Sequence, residues 1–161
     1  MCIRDSHGPE AHMNTRRLLA PALPPTTAAT LAAGGYLHAQ LYIDGYRFIP
    51  VIGPLFLLQA GASIALAVLL LVGTPPLLLR IAAAGIALGA LGGFAASRTV
   101  GVFGFTEHGL RPAPQALLSL LAETGTLLLL AVWQVTLAGR PRAARPPVGA
   151  AACATTRTPP G

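Results

Sequence analysis

Glu123 is a carboxylate set inside a long apolar run, 115–137, with Ser119 four residues before it and Thr126 three residues after. At the spacing of a helix, Gln115, Ser119, Glu123, Thr126 and Gln134 fall on one face, and the other side is rich in Leu. A charged group in hydrocarbon costs at least about 2.5 kcal/mol on insertion scales, so Glu123 must face protein or a wet cavity and have a partner. His38, Gln59, Arg98 and Ser119 are the candidates to surround it, with Tyr36, Ser63 and Ser97 close in depth. Paired with Arg98, bonded to Gln59 or itself protonated, Glu123 would fix the register of packed helices. In a pocket open to the outer side, it would bind a small ligand or relay protons. His38 would then be a neighbour able to change charge near neutral pH.

A metal or redox site would have to draw on His38, Asp44, Glu107 and His108. Glu107 and His108 are adjacent in a loop and no HExxH spacing is present, so the sequence assigns no metal and no cofactor. Asp44 and Arg47, in a short connection with an Asp-Gly turn signal, are suited to pair with each other for little gain. GxSxG, the P-loop and a strand-preceded GxGxxG are missing, which weighs against an enzyme.

These residues need apolar helices to position them. The chain has 161 residues, 53% hydrophobic and 10% charged, where a soluble domain carries roughly 25% charged residues. Apolar runs at about 25–42, 51–73, 77–97 and 115–137 predict an all-α integral membrane protein, an antiparallel bundle of four transmembrane helices occupying 25–138. The first run is the weakest and has a rival reading as a cleaved signal peptide. Arg16 and Arg17 would then form its basic region, but Pro21, Pro24 and Pro25 interrupt its apolar part. As a helix it aligns Thr30, Gly34, His38 and Tyr42 on one face. In the third run Gly85, Gly89, Gly93 and Ser97 repeat every four residues. Such a groove lets another backbone approach closely in lipid. A helix of the same chain is the expected occupant; a second subunit or a membrane partner protein is the alternative.

Residues 1–6, MCIRDS, resemble a translated sequencing adapter, so 1–24 reads as a non-native or disordered basic segment, with Met13 as the native start. The Arg, Pro and Ala of 139–161 read as a disordered tail. The two Cys lie in these tails and support no disulfide or redox pair. The net charge of +6 comes from Arg flanking the apolar runs, not from one basic stripe, which weighs against nucleic acid as a partner and leaves the lipid bilayer. With both termini cytoplasmic, Arg16, Arg17, Arg80, Arg140, Arg142, Arg145 and Arg157 lie inside and Arg47, Arg98 and Arg111 outside. The positive-inside rule favours that arrangement in the cell membrane. It sets Glu123 and Gln59 at similar depth, roughly 12–13 Å below the outer end.

The stretches Asp44-Gly-Tyr-Arg-Phe-Ile-Pro-Val-Ile-Gly-Pro-Leu-Phe-Leu-Leu58 and Ser97-Arg-Thr-Val-Gly-Val-Phe-Gly-Phe-Thr-Glu107 resemble those of small, functionally uncharacterised four-span membrane proteins of actinobacteria. The resemblance covers about 30–137 and implies architecture and source, but no activity. The leading functional expectation is a non-enzymatic accessory or small-ligand-binding membrane protein with an outward-facing polar cluster around Glu123. The alternative is a proton-coupled transporter subunit or membrane redox component.

Overall fold

The computed structural model describes residues 20–73, 77–107, 109 and 113–139. The readings placed on His108, Arg111, residues 1–19 and 140–161 lie outside the described residues. The chain is helical: α1 (Leu23–Asp44), a 3₁₀ turn η1 (Tyr46–Phe48), α2 (Ile52–Val72), α3 (Leu77–Thr99) and α4 (Gln115–Ala138). α1 starts two residues earlier than the sequence suggests, with Pro24 and Pro25 in its first turn. Their missing N–H groups have no intrahelical acceptor there, so the helix loses nothing by accepting them.

Three helices, α2, α3 and α4, are long and apolar enough to cross a membrane. α1 has the length, but its Thr26, Thr27, Thr30, His38 and Gln40 dilute its apolar character. Leu58, Leu71, Leu78, Leu88, Leu121, Leu128 and Val135 stand exposed on the three apolar helices. In water that much outward-facing aliphatic surface would be costly, whereas lipid matches it.

α1 is the hub. It packs most extensively on α2 and next on α4, while α3 contacts α4 and, least, α2. Gly35 allows the α1–α2 contact, since a Cβ there would lie 3.1 Å from the Ala60 carbonyl oxygen, Ser63 Cβ and Ile64 Cγ1. One half of the molecule closes around an apolar core of Leu31, Leu66, Leu70, Ala83, Leu130 and Trp133. Trp133 is buried there, with the Arg80 guanidinium 5.5 Å from its ring. Its neighbours on α3 shield it and the cation covers its face.

The glycine groove of α3 departs from expectation. Added Cβ atoms at Gly85, Gly89 and Gly93 would meet nothing within 4 Å, so no helix of this chain closes on them among the described residues. α3 is turned so that its alanines Ala83 and Ala87 face inward instead. Ser97, the last member of the repeat, is buried.

The segment after α3 folds back over the end of that helix. Gly101 N–H donates to Ala96 O at 2.9 Å and Glu107 N–H to Ser97 O at 3.0 Å. Gly101 and Gly104 adopt φ of +76° and +79°, which only glycine adopts without strain. This return brings Glu107 beside Arg98.

Close packing at Gly35 gives a first prediction. Gly35→Leu should lower the thermal midpoint in detergent, equivalent to about 1–3 kcal/mol of overpacking. Gly61→Leu, whose Cβ points into open space, should leave the midpoint within about 0.5 kcal/mol. Equal effects of the two would contradict the packing described.

Candidate functional site

Glu123 is 2% exposed and reaches its place because α1 offers no side chain at the point of approach. A Cβ on Gly34 would sit 2.8 Å from Glu123 Oε1, so the carboxylate occupies the niche left by that glycine. The expected α1 stripe faces it. Thr126 Oγ1, one turn below, donates to Thr30 Oγ1 at 2.8 Å, and Thr30 donates on to the Thr27 carbonyl at 3.0 Å. His38 Nδ1 donates to the Gly34 carbonyl at 2.9 Å and stands 3.9 Å from Glu123 Oε1. From α2, Gln59 Nε2 donates to the Ile86 carbonyl of α3 at 3.2 Å and reaches Glu123 Oε1 at 3.5 Å. That one amide therefore touches three helices' worth of structure: its own, the α3 backbone and the α4 carboxylate.

Above these groups lies a cavity of about 290 Å³. Its floor carries Glu123, Gln59, His38 and Ser119, and its walls are mostly apolar, including Phe56, Ile86 and Leu120. Leu55 and Leu58 of α2 and Gly89 and Gly93 of α3 line it and are exposed, which sets an opening between those two helices. An aromatic column runs along the cavity. His38 and Phe56 have centroids 5.3 Å apart, Tyr46 stacks on Phe56 at 4.7 Å, and Phe105 meets Tyr46 edge-on at 5.8 Å.

Arg98 does not reach the buried acid. Among the described residues it pairs with Glu107, Nη2 to Oε2 at 3.0 Å, and lies 3.5 Å from the Phe94 ring centroid. Its Nη1 donates to Ser97 Oγ at 2.8 Å and its Nε to the Gly109 carbonyl at 2.7 Å. Stacking on the residue one turn back holds the guanidinium at the helix end, where the returning loop supplies both a carboxylate and a carbonyl. The expected Arg98–Glu123 pair is thus replaced by Arg98–Glu107 at the rim of the cavity. Tyr46 Oη completes that group by donating to Glu107 Oε1. The Tyr46 phenol is held well above its ordinary pKa of 10.0, first by burial and then by the hydrogen bond to Glu107 and that carboxylate's charge.

Other expected members fall elsewhere. Tyr36 is exposed and accepts a hydrogen bond from Gln40 Nε2 at 2.6 Å, so it points away from the cluster. Asp44 and Arg47 are exposed and form no ion pair among the described residues; Arg47 lies 4.6 Å from the Phe48 ring centroid instead. Gln134 is exposed, so the polar face of α4 stops being internal below Thr126. Ser63 is buried, with its Oγ unpartnered. Among the described residues no group of three His, Cys, Asp or Glu converges as a metal cluster would. Sequence reasoning missed Tyr46, Phe56 and Phe94 as lining residues. An aromatic ring in an apolar run gives no pattern that separates a cavity wall from lipid-facing surface.

No family model matches the chain, and no curated protein or solved structure is similar to it. The site must be read from its own geometry.

The rim makes the second prediction. In an alkaline ultraviolet titration the Tyr46 phenol should ionise well above its ordinary value of 10.0. Glu107→Gln should bring that phenol down, though not to the ordinary value, because burial persists. The unfolded phenol loses its proton first, so Tyr46's contribution to stability is intact below about pH 10 and declines above it. A titration unchanged by Glu107→Gln would contradict the Tyr46–Glu107 bond.

Proposed function

We propose that this chain is a four-span integral membrane protein, an antiparallel helical bundle in the cell membrane with both termini cytoplasmic. In this reading it is not an enzyme, and it binds a small amphiphilic molecule in the cavity over Glu123. The observation that carries the binding reading is a carboxylate buried to 2% exposure that lines a cavity of about 290 Å³. Ligand pockets combine mostly apolar walls with a few placed polar groups, and this cavity has that composition at the small end of the usual size range. A purely structural acid would be expected to finish with close partners on all sides. Glu123 instead has Gln59 at 3.5 Å and His38 at 3.9 Å, both longer than the normal hydrogen-bond range.

The fourth span is supported by the place of α1. It lies along two apolar helices of similar length and turns its Thr, Gly and His face toward them. A helix whose polar groups are met by neighbouring helices loses less on entering lipid than its composition implies. The outward set of Arg47 and Arg98 against the inward set at Arg80 and beyond Gly139 supports the orientation.

Two measurements test this. Reporters fused at each end should both report the cytoplasm, because four crossings return the chain to its starting side; reporters on opposite sides would leave three spans. For the cavity, Ala90→Phe places a ring among its lining residues. The organic extract of purified wild-type protein should contain a small molecule that the filled variant lacks. Identical extracts from two equally stable proteins would count against a ligand site.

A further inference from the structure

The lining of the cavity is not charge-balanced. Among the described residues its formally charged side chains are Arg98, Glu107 and Glu123. Arg98 and Glu107 neutralise each other across 3.0 Å at the rim, which leaves the Glu123 carboxylate on the floor. The Gln59 amide lies 3.5 Å from it and brings no charge. The Nδ1 hydrogen of His38 is directed to the Gly34 carbonyl at 2.9 Å, and the 3.9 Å from Nδ1 to Glu123 Oε1 is beyond hydrogen-bond reach. Among the described residues the floor therefore holds an acid with no cation bonded to it.

We infer that the cavity takes a monovalent organic cation with an apolar body, reached sideways from the bilayer between α2 and α3, with Glu123 as its counter-ion. This rests on the reading of the cavity as a ligand site. Each part of the ligand answers a feature of the lining. One positive charge matches the single unbalanced carboxylate. The Phe56 and Tyr46 rings border the cavity, and the faces of aromatic rings attract cationic groups. The aliphatic walls suit a hydrocarbon body. A bare metal ion would need several oxygen ligands, and an anion would oppose Glu123. The route follows from the exposed lining residues, which are Leu58, Gly89 and Gly93 facing outward between the helices. The end of the cavity away from Glu123 carries the Arg98, Glu107 and Tyr46 group. With no side chain, Gly89 and Gly93 leave a gap that no helix among the described residues fills.

The probe is octyltrimethylammonium, set against its uncharged isostere in which a quaternary carbon replaces nitrogen, and against octyl sulfate. Binding to the full chain is read by native mass spectrometry from a neutral detergent. Wild-type protein should hold the cation at least about tenfold more tightly than the isostere, a margin of one electrostatic contact, and should not retain the sulfate. Glu123→Gln should erase that preference while leaving isostere binding unchanged, and Glu123→Asp should keep the preference. Cation and isostere bound equally by wild type would overturn the charge assignment; if Ala90→Phe then abolished both, the cavity reading itself would stand. Binding of none of the probes would overturn both. The comparison of probes on wild-type protein does not depend on any variant folding.

Discussion

Burying the Glu123 carboxylate is the constraint from which the packing around the cavity follows. An acid at that depth is tolerated only where neighbouring helices come close enough to replace water. Gly34 makes the approach possible by leaving a niche the size of a carboxylate oxygen. Gln59 ties the acid to the α3 backbone, and the Thr30–Thr126 contact fixes the rotation of α1 against α4 one turn below. The central position of α1 is a consequence. It is the least apolar of the four helices, and it takes the place where its polar side chains find partners.

Arg98 and Glu107 show how the same protein keeps a second charge pair apart from the first. A guanidinium at a helix end is cheaper to hold near water than to drive inward, since desolvating an ion pair can exceed its Coulombic gain. The loop return that brings Glu107 to the end of α3 satisfies Arg98 at the rim. Tyr46 and the aromatic column then separate rim from floor. The result is a cavity lined by an ion pair, apolar walls and a buried acid, with exposed lining residues on α2 and α3.

Helix number, approximate helix limits and the polar faces of α1 and α4 were legible in the sequence, because hydrophobic run length and i, i+4 spacing report local geometry directly. The two stripes Thr30–Gly34–His38 and Ser119–Glu123–Thr126 do meet, and Gln59 does arrive at their level. The partner of Arg98 was not legible. Its reach is long and its choice depended on whether the loop to Glu107 returned or extended, which is a question about chain path that spacing does not answer. The glycine repeat on α3 was equally ambiguous, since a smooth face permits close packing without specifying a partner.

By itself, then, the sequence determined the helical class, the apolar spans and the residues that could not be left unpartnered in them. It did so because each rests on composition and on the fixed period of one helix. The tertiary structure decided which polar groups touch. Relative rotation and tilt of helices set whether Glu123 meets a cation or an amide, whether Trp133 faces lipid or core, and whether Gly89 meets a backbone or an opening. Those outcomes turn on a few ångströms between segments far apart in the chain, a scale at which no single helix carries the information.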